Sequence, residues 1–262
     1  MKNIFDTHTH YTDNAFDEDR HELLASLPET GICGIINCGT DIRDSETSLA
    51  LAHKYPYIYA AVGIHPHEAA KSNSSFLSFM RCFIEDEKVV ALGEIGLDYH
   101  YDFSPRDVQK QIFRQQLELA KEYDLPVIIH DREAHSDTLA ILNEFKPKGV
   151  LHCFSGSVEF ARDALSLGLY IGLGGAVTFK NAKRPLEVAS FVPSDMLLLE
   201  TDCPYMTPHP HRGNRCDSSF ITITAQKLAE VRGTDVRQIL NQTADNARKL
   251  FNIKEQSNEK PK

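Results

Sequence analysis

Short apolar runs alternate with longer amphipathic stretches along almost the whole chain. Eight apolar runs, often β-branched, are typical of buried strands: residues 4–8, 33–38, 58–64, 89–95, 126–130, 149–154, 170–173 and 196–200. Helical patterns fill the stretches between them, near residues 18–30, 44–55, 74–85, 105–123, 134–145, 157–167, 184–191, 217–232 and 235–250. Ser104 and Pro105 are typical of a helix start, with Ser104 as N-cap and Pro105 at the first helical position.

Strands that alternate with helices form parallel βαβ units. Eight such units in 262 residues match the size of a closed α/β barrel, the (β/α)8 or TIM barrel. An open doubly wound sheet is the alternative, but it more often has a glycine-rich loop after its first strand, which this sequence lacks. We predict one domain over residues 1–253 and a disordered polar tail over residues 254–262.

The charge balance limits the classes of function. The chain has 37 acidic and 28 basic residues, a formal net charge of −9, which argues against coating nucleic acid with a broad basic face. A metal site that binds a few phosphate groups locally remains compatible with this negative net charge. The six cysteines have no CxxC spacing, so we predict reduced thiols and a cytoplasmic protein. No apolar stretch approaches membrane-spanning length, and we predict neither membrane contact nor an obligate protein partner.

Polar residues with metal-binding side chains close six of the eight predicted strands. They are His8 and His10, His65 and His67, Glu94, His130, His152, and Glu200 and Asp202. In a (β/α)8 barrel the C-terminal strand ends meet on one face, where active sites lie. A lone histidine at a strand end is more often a capping or solvated residue. A set of this many metal-binding side chains on one face of a barrel would rarely arise by chance. The histidines at 8, 10, 130 and 152, with two carboxylates, suit one or two borderline divalent ions.

Two carboxylates are candidates for direct roles in chemistry. Glu94 could give one oxygen to each of two ions, and two cations about 4 Å apart can clamp the attacking and leaving oxygens of a displacement. Such ions lower the pKa of a bound water toward ~7. Asp202 is our candidate for the base that takes the proton of this water. The alternative for Asp202 is a salt-bridged loop aspartate.

Seven motifs in order resemble the TatD family of metal-dependent hydrolases, which include TatD-type deoxyribonucleases, within the amidohydrolase superfamily. The motifs are Phe5-Asp6-Thr7-His8-Thr9-His10, Gly63-Ile64-His65-Pro66-His67, Gly93-Glu94-Ile95-Gly96-Leu97-Asp98-Tyr99, His130-Asp131-Arg132-Glu133-Ala134, His152-Cys153-Phe154-Ser155-Gly156, Thr178-Phe179-Lys180-Asn181-Ala182 and Glu200-Thr201-Asp202-Cys203-Pro204-Tyr205. Each motif alone is weak, but the ordered set covers nearly the whole chain and is very specific.

The resemblance implies a (β/α)8 barrel with two divalent ions per chain, which could be Mg, Mn or Zn. It assigns His8, His10, Glu94 and Asp202 to one ion, and Glu94, His130 and His152 to the other. Many amidohydrolases bridge their metals with a carboxylated lysine near this strand. A glutamate in that place points toward the TatD type.

The activity that the resemblance implies is hydrolysis of phosphodiesters by a metal-activated water, as a deoxyribonuclease or exonuclease acting on DNA or RNA ends. The same chemistry would also serve an esterase or amidase, such as a D-aminoacyl-tRNA deacylase. A non-catalytic scaffold is a third possibility, but every ligand position holds a competent residue.

Four residues are candidates for substrate binding: His65, Arg132, Lys180 and Arg212. The planar fork of arginine suits bidentate capture of phosphate. The alternative for each cation is an ordinary loop charge, which we favour for Arg215, and His65 could instead cap its strand.

Two further segments bear on substrate choice. The family usually has an Arg-Gly-Lys-x-Asn-x-Pro run after the Asp202 motif, but here only Arg212 and Gly213 match, so substrate preference could differ. The cluster Tyr99, His100 and Tyr101 could stack on a base at a single-stranded end or simply wall the pocket.

Overall fold

The computed structural model of this chain describes residues 1–73 and 75–254, so the predicted tail over residues 254–262 lies outside the described residues except for Lys254. Eight parallel strands pair in chain order, β1 through β8. They are β1 (Ile4–Thr9), β2 (Ile32–Cys38), β3 (Ile58–Val62), β4 (Val89–Asp98), β5 (Val127–Arg132), β6 (Gly149–Leu151), β7 (Tyr170–Leu173) and β8 (Leu197–Leu199). The predicted (β/α)8 barrel is confirmed.

Nine α-helices alternate with or follow these strands in the part of the chain that the structure describes. They are α1 (Arg20–Ser26), α2 (Ile42–Lys54), α3 (Phe76–Ile84), α4 (Arg106–Glu122), α5 (His135–Phe145), α6 (Val158–Ser166), α7 (Lys183–Phe191), α8 (Ile221–Arg232) and α9 (Val236–Leu250). Among these described helices none is both long and apolar enough to cross a bilayer.

The helices form an outer layer because each presents one apolar face to the barrel. In α4, Ile112, Phe113, Leu117 and Ala120 are buried, a spacing that places them on one side of a helix. That side packs against β4, whose ten residues are all buried. The strands are therefore held rigidly from outside, and their C-terminal ends are fixed in space.

The barrel is closed between β1 and β8 largely by side-chain hydrogen bonds. The buried carboxylate of Asp6 accepts the backbone N–H and the hydroxyl of Thr201 at 2.9 and 2.6 Å. The Thr7 hydroxyl donates to the carbonyl of Leu199 at 2.9 Å. Beyond the strand ends, the backbone N–H of Asp202 donates to the carbonyl of His8 at 3.0 Å. These contacts bring the first and last strands into register.

The predicted start of α4 is wrong by one residue. The helix begins at Arg106, with Pro105 in the capping position and no side-chain cap. The Ser104 hydroxyl is used elsewhere: it donates to the carbonyl of His67 at 3.0 Å and accepts the N–H of Ala70 at 3.0 Å. Ser104 thus ties the start of α4 to the short helix Pro66–Lys71 that follows β3.

Candidate metal centre

All six predicted metal ligands lie together at the C-terminal end of the barrel. His8, Glu94 and His130 are in strands β1, β4 and β5, while His10, His152 and Asp202 follow β1, β6 and β8 within three residues. Strand alternation turns His8 and His10 to the same side, and their Nε2 atoms are 3.0 Å apart. The sequence therefore predicted correctly which side chains converge, while their role as ligands stays a prediction.

The two carboxylate oxygens of Glu94 face two different pairs of histidines. Oε1 lies 2.7 Å from Nδ1 of His130 and 2.7 Å from Nε2 of His152. Oε2 lies 3.3 Å from Nε2 of His8 and 3.4 Å from Nε2 of His10. This carboxylate stands between two groups of imidazole nitrogens, as a carboxylate shared by two cations would.

Asp202 joins the group on the Oε2 side of Glu94. Its Oδ1 is 3.8 Å from Nε2 of His8 and 3.6 Å from Nε2 of His10. The side chain is 16% exposed, so one edge reaches the cavity above. Asp202 therefore has both a place beside the imidazoles and access to solvent.

The donor set fits divalent cations chemically. Three overlapping groups have donor atoms that all lie within 4.8 Å of one another: His8, His10 and Glu94; His8, His152 and Asp202; His65, Glu94 and His130. Imidazole nitrogen and carboxylate oxygen are the ligands that zinc and similar ions accept.

The protonation states of the cluster differ from one histidine to the next. Burial lowers the pKa of His8 and of His65 to about 4, so both imidazoles are neutral at pH 7 and can bind metal. Burial opposes ionisation of Glu94, but the surrounding imidazoles outweigh it and hold the pKa of Glu94 well below its usual range. The cluster thus offers a carboxylate anion and two neutral imidazoles at neutral pH.

Three other histidines of the cluster are shifted in the opposite direction. Burial opposes their protonation, but the neighbouring carboxylates outweigh it: they raise the pKa of His10 well above its usual value, that of His130 to about 9, and that of His152 above its usual value. A metal ion bound by these imidazoles would displace their protons.

His65, predicted to bind substrate, lies inside this cluster rather than at its rim. Its Nε2 is 3.5 Å from Oε1 of Glu94, and its Nδ1 accepts the N–H of His67 at 3.1 Å. The residue is only 7% exposed. His65 is therefore placed as well to support a metal ion as to touch a phosphate.

A cavity of about 1090 Å³ opens above the cluster, and its two sides differ in chemistry. Carboxylate residues from the segments that follow β1, β2 and β3 line one side, the acidic wall: Asp13, Asp41, Asp44 and Glu68. The loop after β4 and the last residue of β5 line the other, the aromatic wall: Tyr101, Phe103 and the exposed Arg132. Arg132 is exposed in the cavity lining, with its guanidinium carbon 4.7 Å from the centre of the Tyr101 ring.

The other two predicted substrate residues do not line this cavity in the described part of the chain. Lys180 is exposed. Arg212 lies over the ring of Phe179, with 3.9 Å between its guanidinium carbon and the ring centre. Arg215 is paired with Asp19 at 2.6 Å, in agreement with the structural role that we favoured for it. Substrate contact by Lys180 and Arg212 stays a prediction.

Sequence reasoning missed a buried carboxylate behind His130. Oδ2 of Asp98 lies 3.0 Å from Nε2 of His130 and 2.9 Å from Nε2 of His67. Burial opposes ionisation of Asp98, but these two histidines keep its pKa below the usual range. A carboxylate on the second nitrogen of a ligand histidine fixes the ring orientation. The signal was present, because Asp98 follows Glu94 by four residues and so points to the same side of β4.

Glu200 is a second residue whose role sequence reasoning left unassigned. It follows β8 directly, is fully buried, and accepts the backbone N–H of Cys153. Its Oε1 is 3.9 Å from Nδ1 of His152. Burial raises the pKa of Glu200 to about 8. Glu200 therefore lies behind His152 without a hydrogen bond to its imidazole, whereas Asp98 does hydrogen-bond His130.

Asp98→Asn is expected to weaken metal binding about 10–100-fold, the usual effect of removing a carboxylate behind a ligand histidine. Calorimetric titration of metal-stripped protein with Mn²⁺ or Zn²⁺ measures this directly. Asp86→Asn is the matched control, because Asp86 makes a similar carboxylate–imidazole contact of 2.8 Å with His53 outside the cavity. Equal metal affinity in Asp98→Asn and wild type would show that Asp98 does not position His130.

Comparison with known proteins agrees with this geometry. The sequence model of the family described as TatD related DNase matches residues 5–252. The chain belongs to the TatD family. It is 42% identical over 253 residues to the "uncharacterized metal-dependent hydrolase YabD" of Bacillus subtilis, covering 95% of this chain and 99% of that protein.

Two further TatD relatives extend the likeness. The chain is 36% identical to the "3'-5' ssDNA/RNA exonuclease TatD" of Erwinia tasmaniensis, covering 95% of this chain and 100% of that protein. The crystal structure of the TatD homologue YJJV from Escherichia coli K12 superposes with a TM-score of 0.91 at 34% identity, covering 96% of this chain and 99% of that one. The resemblance seen in the sequence motifs is thereby confirmed.

Proposed function

We propose that this chain is a divalent-metal-dependent phosphodiester hydrolase that removes nucleotides from the ends of single-stranded DNA or RNA. The observation that carries the proposal is Glu94, whose two oxygens face two separate pairs of imidazoles at 2.7–3.4 Å. The exonuclease activity named for the Erwinia tasmaniensis relative supports nucleic acid as the substrate.

We assign two ions to the cluster. The residues that would hold them are His8, His10, Glu94 and Asp202 on one side, and Glu94, His130 and His152 on the other. When bound, such ions lower the pKa of water and neutralise charge on a phosphoryl group.

The chain's own residues would divide the remaining work. The carboxylate of Asp202 accepts the proton of the attacking water, since its side chain reaches the cavity beside His8 and His10. Arg132, exposed at the rim, offers a planar fork to a phosphate oxygen of the substrate. His65, whose Nε2 lies 3.5 Å from Oε1 of Glu94, helps to hold this carboxylate in position.

The alternative hypothesis, an esterase or amidase, is not favoured by the relatives in the TatD family. A donor set of this kind would hydrolyse a carboxylic ester equally well. The relatives reported above are named as metal-dependent hydrolases or exonucleases, and none as a deacylase.

The test is to strip the protein of metal and to restore Mg²⁺, Mn²⁺ or Zn²⁺ separately. End-labelled single-stranded DNA, RNA and aminoacyl-tRNA are then the three substrates. We expect no cleavage without metal, and stepwise shortening of the DNA or RNA strand with at least one of the ions. Hydrolysis of aminoacyl-tRNA alone would overturn the proposal, as would undiminished strand cleavage by the metal-free protein.

A further inference from the structure

Exposed aromatic side chains are concentrated at the mouth of the cavity. Seven large hydrophobic residues are exposed in the described ranges, and three of them, Tyr101, Phe103 and Tyr205, line this one cavity. Scattered exposed hydrophobic residues are ordinary, but a group of them at one site marks a binding surface. Phe103 is the most open of the seven, at 67% exposure.

The aromatic wall is already arranged as a stack. The rings of Tyr101 and Phe103 are nearly parallel, with their centres 5.3 Å apart and an angle of 23° between their planes. The Arg132 guanidinium also contacts the Tyr101 ring at 4.7 Å. Most of the Phe103 surface remains open to the cavity and to solvent. A further flat group can therefore extend this stack.

Hydrogen bonds hold the stack in place. The Oδ1 atom of Asp98 accepts the backbone N–H groups of His100 and Tyr101 at 3.0 and 2.9 Å. Arg106 pairs with Asp102 through two of its nitrogens, at 2.8–3.1 Å. Little conformational entropy is lost when a ligand meets a surface that is already ordered.

The stack is one histidine away from the candidate metal centre. The ring of His67 makes edge contacts with Phe103 and Tyr101, at 4.8 and 5.4 Å between ring centres. The same His67 shares the Asp98 carboxylate with His130. A ligand that lies on Phe103 therefore extends from the place where the reaction would occur.

The charges of the lining residues decide which side of the cavity an anionic nucleic-acid strand can follow. The acidic wall repels phosphates, because it carries Asp13, Asp41, Asp44 and Glu68. The aromatic wall offers Arg132, the one lysine or arginine among the described residues that line the cavity, next to the stacked rings. The neighbouring Asp131 carboxylate also lines the cavity, but it is paired with His135 and Thr138. A ligand with a flat base and a phosphate attached to it matches this wall. Base–aromatic stacking tolerates any sequence, because every base has a flat face.

We propose that Phe103, supported by Tyr101, is the stacking platform for the unpaired base of a nucleotide next to the bond that is cleaved. This inference rests on the proposed function and names what the enzyme recognises at a strand end. A base that is paired and stacked in a duplex cannot lie on Phe103. The platform thus selects unpaired ends over blunt duplex ends.

Phe103→Ala is the decisive variant, with Phe103→Trp to restore the stack. On end-labelled DNA, we expect Phe103→Ala to raise KM about 5–150-fold with a smaller change in kcat, which corresponds to ~1–3 kcal/mol of stacking. Phe103→Trp should return KM to the wild-type range. With an abasic residue at each of the two terminal positions, Phe103→Ala and wild type should have the same KM.

Phe79→Ala is the matched control, because Phe79 is an exposed phenylalanine on α3 outside the cavity lining. Both alanine variants should unfold at the wild-type temperature. Equal KM in Phe103→Ala and wild type on the normal strand would overturn the platform. An equal rise in KM on normal and abasic strands would overturn it too.

A second readout separates the platform from the proposed activity. Strands with 2-aminopurine at the 3' or the 5' end are titrated with metal-free protein, and stacking quenches the fluorescence of this base. We expect quenching by wild type, Phe79→Ala and Phe103→Trp, and much less by Phe103→Ala. Fluorescence quenching by wild type, without strand cleavage in the presence of any of the metal ions, would overturn the proposed function but not the stacking platform. Cleavage with no difference in quenching between wild type and Phe103→Ala would overturn the platform alone.

Discussion

Glu94→Gln is expected to abolish most metal-dependent turnover while the barrel still folds. The substitution keeps the size of the side chain, but it removes the negative charge that faces imidazoles on both sides. It also replaces one carboxylate oxygen with an NH₂ group, which cannot bind a cation. Loss of several kcal/mol of charge stabilisation corresponds to a fall in kcat of about 10³-fold or more.

Metal content and rate are measured on the same preparation of Glu94→Gln. Mass spectrometry of the dialysed protein should find at least one ion fewer per chain than in wild type. Glu187→Gln, an exposed glutamate on α7, is the control for the chemical change alone. Full metal occupancy together with an unchanged rate would show that Glu94 does not lie between two ions.

Asp202→Asn should reduce cleavage about 10²–10⁴-fold, the usual scale for loss of a general base. The backbone should tolerate the change, because Asp202 has a φ of 59°, a left-handed conformation that asparagine adopts readily. The isosteric amide fills the same space beside His8 and His10. A fall in rate in this variant therefore reports on the lost carboxylate rather than on the fold.

Single-turnover cleavage at saturating metal is the measurement for Asp202→Asn, because it separates the chemical step from weaker metal binding. Asp217→Asn is a suitable control, since the Asp217 carboxylate accepts the N–H of Ser219 and is not among the described cavity-lining residues. If Asp202→Asn cleaved at the wild-type rate under these conditions, the base would have to be sought elsewhere.

The barrel could be predicted because its information is local. Alternation of apolar runs with amphipathic stretches places each strand and helix within a few residues, and the strand order follows from chirality and connection length. Convergence of the candidate ligands then follows from the fold, because the C-terminal ends of parallel strands meet on one face. The positions of Glu94 and His130 needed no further information.

The parts that could not be predicted depend on partners far away in the chain. Ser104 has the residue type of an N-cap, but its hydroxyl binds His67 and Ala70, which are 37 and 34 residues away. Strand β4 continues to Asp98 because its last residue pairs with Arg132 on β5, whereas the apolar run ends at Ile95. A strand predicted to stop there hides the alignment of Asp98 with Glu94. Stacking of Tyr101 on Phe103 likewise depends on loop geometry that no sequence period encodes.

The closure of the barrel by Asp6 and Thr201 has a consequence for biosynthesis. These residues are 195 positions apart, and their contact joins the first strand that leaves the ribosome to the last. His8 and His10 therefore emerge early but receive Asp202 as their neighbour only after β8 has been made. The group of candidate ligands is therefore incomplete until β8 has been made, so the proposed hydrolase activity can appear only late in the synthesis of the chain.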